Sequence, residues 1–134
     1  MPAPREPLNL YIHLPFCRRI CAFCPYVKQT YDAATAEAYG EALLRELESY
    51  RRAWGGVEVA SVYFGGGTPS LTPELIEQTM AWLARSFRLG GEVGVEVHPF
   101  DATPDVLSRL RGSGVTMASL GVQTFNNRLL ALLG

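Results

Sequence analysis

Short apolar runs alternate with amphipathic stretches along this sequence, and the alternation leaves few folds open. Leu8, Leu10, Ile12 and Leu14 recur at every second position and stop at Pro15, the pattern of a strand closed by a loop. From Thr35 to Arg52 the positions Ala36, Tyr39, Leu43, Leu47 and Tyr50 recur at steps of three and four, predicting a helix with one buried face that Gly55-Gly56 breaks. Val57 to Phe64 is a second run, rich in β-branched and aromatic residues, and it stops at Gly65-Gly66-Gly67. Thr72-Pro73-Glu74 then predicts a helix start, with a capping threonine and proline at the first helical position. Ile76, Met80, Leu83 and Phe87 form the inner stripe of that helix, and Gly90-Gly91 is expected to end it. Val93, Val95 and Val97 predict a third strand running into His98-Pro99, followed by a helix from about Thr103 to Arg111. Val115 to Val122 predicts a fourth strand, and Phe125 to Leu133 the opening of a fourth helix.

Strands alternating with helices, each strand nearly continuously apolar, imply a parallel sheet covered by helices, so the fold class is α/β. The loops that follow the strands carry the unusual motifs, and in a parallel sheet those loops share one edge, where such proteins place their active sites. A closed eight-unit barrel needs about 250 residues, so four strand–helix units cannot close one. Residues 1–134 are expected to form a single domain, the front portion of a longer one, with residues 1–7 flexible and the edge of the fourth strand open. The 12 basic and 13 acidic residues are mixed along the chain for a net charge of −1, which gives no footprint for nucleic acid. No apolar run approaches the roughly 18 residues of a membrane span, and the first residues lack a signal-peptide core. The expected location is the cytoplasm.

The three cysteines, Cys17, Cys21 and Cys24, fall within eight residues as C-x3-C-x2-C on the loop after the first strand. An odd number in a tight cluster argues for metal rather than a disulfide framework. Three thiolates suit a four-iron four-sulfur cluster with one iron left open to a further ligand. A structural zinc ion with His13 or His98 as fourth ligand is the competing reading, and unligated cysteines the third.

The words around this spacing are more specific. Tyr11-Ile12-His13-Leu14-Pro15-Phe16-Cys17, Gly65-Gly66-Gly67-Thr68-Pro69-Ser70, Glu96-Val97-His98-Pro99 and Gly121-Val122-Gln123-Thr124-Phe125-Asn126, in that order, resemble the oxygen-independent coproporphyrinogen III oxidase family of the radical SAM superfamily. That family also contains heme chaperones and methyltransferases. The resemblance implies a partial (β/α) barrel of six units, of which about four are present. It implies that Cys17, Cys21 and Cys24 hold the cluster, whose electron splits S-adenosylmethionine (SAM) to a 5'-deoxyadenosyl radical, delivered from a carrier such as flavodoxin or ferredoxin. Tyr11 falls at the position near the SAM sulfonium and Phe23 at the one whose backbone meets adenine. Gly65, Gly66, Gly67 and Thr68 match the loop that meets the amino group, Glu96 the acceptor for an amine or ribose hydroxyl, and Gln123 a ribose contact. The implied substrate is a tetrapyrrole or heme, whose carboxylates Arg18 or Arg19 could meet.

Two departures matter. The decarboxylating oxidases carry a further cysteine two residues after the third, where this chain has Tyr26. The family's arginine for the SAM carboxylate falls at or just beyond Gly134, so these residues alone are expected to bind SAM weakly.

Overall fold

A computed structural model describes residue 4 and residues 6–133. In chain order the elements are β1 (Leu8–Leu14), β2 (Phe16–Cys17), β3 (Gln29–Thr30), α1 (Ala33–Trp54), β4 (Glu58–Gly66), α2 (Pro73–Ser86), β5 (Arg88–Val97), α3 (Pro104–Gly112), β6 (Met117–Leu120) and α4 (Asn127–Leu133). β1, β4, β5 and β6 form one parallel sheet in the order β1-β4-β5-β6, and β2 pairs with β3 in a small parallel clip. The α/β class and the parallel sheet are as the alternation predicts.

Because side chains alternate along a strand, each strand offers two faces. Ile12, Leu14, Val62, Phe64, Val93, Val95 and Val97 point to the face covered by Leu47, Ile76, Leu83 and Leu110, and this is the core. Fully burying such a side chain stabilises the fold by roughly 1.5–3 kcal/mol each. The other face carries Tyr11, His13, Tyr63 and Glu96, with Tyr11 stacked on Tyr63 at 6.4 Å and Ser61 donating to Asn9.

β1 has the predicted bounds, while other boundaries differ. Asp32 caps α1, its carboxylate accepting from the Thr35 N–H, so the helix starts two residues before Thr35. Thr72 stands at the α2 N-cap as expected, but its hydroxyl turns back to the Pro69 carbonyl instead of capping. Thr103 does cap α3 through the Val106 N–H.

The largest difference is at Gly90-Gly91, which lie inside β5 rather than ending α2. α2 stops at Ser86, and Phe87 is extended and buried. Val59 faces Leu89 but Ser61 faces Glu92, so β5 spends one extra residue there, a β-bulge. Glycine is required because a Cβ on Gly91 would fall 1.8 Å from the Ala60 carbonyl oxygen.

The fourth strand is also shorter than the expected Val115 to Val122. The Val115 N–H goes to the Leu110 carbonyl of α3, and past Gly121 the Val122 and Thr124 N–H groups bond within the loop. The fourth helix begins at Asn127, not Phe125, with the Asn126 carboxamide oxygen accepting from Arg128 and Leu129. Of residues 1–7, expected to be flexible, only 4, 6 and 7 are described, and they form neither helix nor strand; the rest of that expectation lies outside the described residues.

Candidate functional site

Beyond Pro15 the chain does not leave the sheet at once. β2 is held on one side by the Gly67 and Thr68 N–H groups, which donate to Leu14 and Phe16 carbonyls, and on the other by Gln29 and Tyr31, which donate to Pro15 and Cys17. The cysteine loop, residues 18–28, therefore hangs from a rigid clip. Gly67 makes this possible, since a Cβ there would lie 2.6 Å from the Phe16 carbonyl oxygen. The glycine run thus serves the packing of the cysteine loop as well as any ligand.

Cys17 is buried and Cys21 and Cys24 are half-buried, all three free thiols. The Thr68 hydroxyl donates to the Cys17 sulfur at 3.7 Å. Burial pushes the Cys17 thiol above its ordinary pKa, and the Thr68 contact opposes it. Lys28 Nζ donates back to the Cys24 and Tyr26 carbonyls, tightening the end of the loop. His13 holds the same segment from below: the Tyr11 hydroxyl donates to Nδ1 at 3.1 Å, which leaves the proton on Nε2 to donate to the Val27 carbonyl at 2.8 Å.

The loop overhangs a cleft of about 410 Å³ at the carboxyl edge of the sheet, within the size range of small-molecule sites. Its lining brings together Phe23, Cys24, Gly66, Gly67, Thr68, Glu96 and Gln123 from separate strand ends, with Tyr26, His98 and Ser119. Glu96 is half-buried and accepts from the Gly66 N–H at 3.1 Å. Gln123 was expected at a strand end; it stands three residues beyond β6 with φ 64°, a left-handed backbone rare for a residue with a side chain.

Tyr11 and Gly65 stand outside this lining. Gly65 pairs with His13 in the β1–β4 register, and the Tyr11 phenol is raised in pKa by burial first and by Glu96 next. Arg18, one of the two arginines that could meet a substrate carboxylate, is paired with buried Asp101. Lys28, Ser119 and Asp101 escaped the sequence reading, because none sits in a motif or at a telling spacing.

Of the two candidate fourth ligands for zinc, His13 is fully engaged and His98 keeps only Nε2 open. His98 stacks on Phe100 at 5.4 Å with Nδ1 accepting from the Phe100 N–H. Among the described residues no three His, Cys, Asp or Glu side chains converge closely enough to hold a single ion. Three thiols spread along one loop suit a multi-iron group, which takes its ligands at separate corners. A wider groove of about 720 Å³ runs between α2 and α3, but its one basic group, Arg109, is already paired with Glu74 and Glu77.

A parallel βα sheet with a thiol loop over its carboxyl edge defines a class before it defines a protein. The Radical SAM superfamily matches residues 11–134, and the chain belongs to it. It is 36% identical to the heme chaperone HemW of Lactococcus lactis, over 97% of this chain and 34% of that one. It is likewise 36% identical to the oxygen-independent coproporphyrinogen III oxidase of Escherichia coli, over 97% of this chain and 29% of the relative. The solved coproporphyrinogen III oxidase (HemN) of E. coli superposes with a TM-score of 0.86 at 35% identity, covering 95% of this chain and 30% of that one. The chain therefore spans about a third of the length of these relatives. No described helix is long and apolar enough to cross a membrane.

Proposed function

We propose that Cys17, Cys21 and Cys24 hold a four-iron four-sulfur cluster, that SAM binds in the adjoining cleft, and that the chain is the front part of a cytoplasmic radical SAM enzyme of tetrapyrrole or heme metabolism. The observation that carries this is the convergence of Phe23, Gly66, Gly67, Thr68, Glu96 and Gln123 on one cleft beneath the thiol loop. When bound, a reduced cluster of this kind supplies the electron that breaks the SAM sulfonium. The protein's own part is to hold and orient. Glu96 offers a carboxylate to an amine or hydroxyl, and Gln123 an amide that both donates and accepts. Thr68 keeps a hydroxyl on the first ligating sulfur. An electron carrier such as flavodoxin or ferredoxin would supply the reducing equivalent.

Anaerobic reconstitution with iron and sulfide, then dithionite reduction, should give a cluster electron paramagnetic resonance signal that shifts on adding SAM. Absence of bound iron would overturn the cofactor assignment. Tyr26, at the place where the oxidases carry a further cysteine, counts against the oxidase, and the 36% identity to a heme chaperone supports a second reading as a heme chaperone that keeps the cluster. An assay for 5'-deoxyadenosine separates the two, since turnover supports the enzyme and heme transfer without it supports the chaperone.

A further inference from the structure

The turn after β5, Pro99–Asp101, ends on a carboxylate whose side chain is only 2% exposed, in a position no motif assigns. A buried carboxylate is tolerated only when charge and hydrogen bonds compensate it, so its partners are informative. Asp101 Oδ1 receives the Arg18 guanidinium, from 83 residues earlier in the chain and one residue past Cys17. Oδ2 receives the Ser70 hydroxyl at 3.0 Å, and Ser70 Oγ in turn accepts the His98 N–H at 3.0 Å. Ser70 belongs to the turn that follows Gly65-Gly66-Gly67-Thr68.

One carboxylate therefore ties together the loops following three strands: the cysteine loop, the glycine loop and the β5 turn. The ends of the cysteine loop are otherwise held by backbone pairing at residues 15–17 and 29–31 and by His13 at Val27. Within residues 18–23, Arg18 is the side chain that hydrogen-bonds to another strand's loop among the described residues. Arg18 is itself 65% exposed, so it reaches down from the surface like a hook onto a fixed point.

We propose that Asp101 is a positioning residue of the cofactor site, clamping the cysteine loop through Arg18 so that the thiols are pre-arranged over the cleft. The proposal rests on the cluster assignment for its purpose, but the clamp can be tested without any cluster. In the iron-free protein, Cys17 is buried and should react slowly with iodoacetamide, read by peptide mass spectrometry. Asp101→Asn and Arg18→Gln each remove a charge-assisted bond, so Cys17 alkylation should quicken about tenfold or more. Arg18→Lys, which keeps the charge, should recover part of the protection.

Arg109→Gln breaks the two ion pairs between α3 and α2, with Glu74 and Glu77, and should leave the Cys17 rate unchanged. Low urea should barely affect the rate in Arg18→Gln, because the opening is local and exposes little surface. Arg18→Gln leaves the buried Asp101 carboxylate without its countercharge, so the Arg18→Gln/Asp101→Asn double variant, which has no buried charge, decides the matter where a single variant fails to fold. After reconstitution, the same variants should lose iron to a ferrous chelator about tenfold faster than wild type. Equal Cys17 alkylation in wild type and Arg18→Gln overturns the clamp, whatever the iron content. Failure of wild type to take up iron overturns the cofactor assignment instead, and the alkylation result still judges the clamp.

Discussion

The two edges of the sheet, β1 and β6, are built from similarly apolar sequence yet end in opposite states. Ile12, Leu14 and Phe16 at the β1 edge are buried, with α1 laid over them: Tyr39 meets Phe16 edge-on at 5.5 Å and its hydroxyl donates to the His13 carbonyl. At the β6 edge Leu120 is 51% exposed, and α4 buries none of its residues. The β1 edge owes its burial to the helix that follows it. The 22-residue α1, with one apolar stripe, reaches back over β1, whereas no residue of α4 is buried.

Substitutions along the two edges can break this contrast. Leu14→Ala removes a side chain with no exposure and should cost about 2–5 kcal/mol by urea unfolding. A loss below about 1 kcal/mol would mean that the β1 edge relaxes into the gap. Tyr39→Phe keeps the ring and deletes the bond to His13, so a loss near 1 kcal/mol is expected. Leu120→Ala should stay within about 0.5 kcal/mol. A larger, concentration-dependent loss would show that β6 is covered in solution by a second copy. The smallest effect is electrostatic and sits on α1, where Arg51 and Arg52 hold the Glu48 carboxyl down to about 2 from an ordinary 4.5. A depressed carboxyl adds stability above its unfolded pKa and loses it on acidification. The small advantage of wild type over Glu48→Gln in thermal midpoint should therefore shrink as pH falls from 4.5 towards 2.

The same contrast explains what the sequence could reveal. β1 was legible to the residue because one face is buried and its alternation is strict. β2 and β3 were not, since two-residue strands have no period to read. Gly90-Gly91 misled because glycine pairs end helices and make bulges alike, and only the distance to Ala60 decides between them. At the site, the residues inside motifs largely converge on the cleft, whereas Asp101 finds Arg18 across 83 residues, a pairing no local spacing encodes.

Gln123 carries a further lesson for anyone wishing to engineer this chain. A left-handed backbone on a residue with a side chain costs on the order of 1–3 kcal/mol, and glycine would adopt it freely. A library selected for heat resistance alone would therefore drift to Gln123→Gly and discard the amide that faces the cleft. Selection for thermostability and selection for ligand would pull this one codon in opposite directions, and a wild-type preference for glutamine under the second regime would mark the strain as kept on purpose.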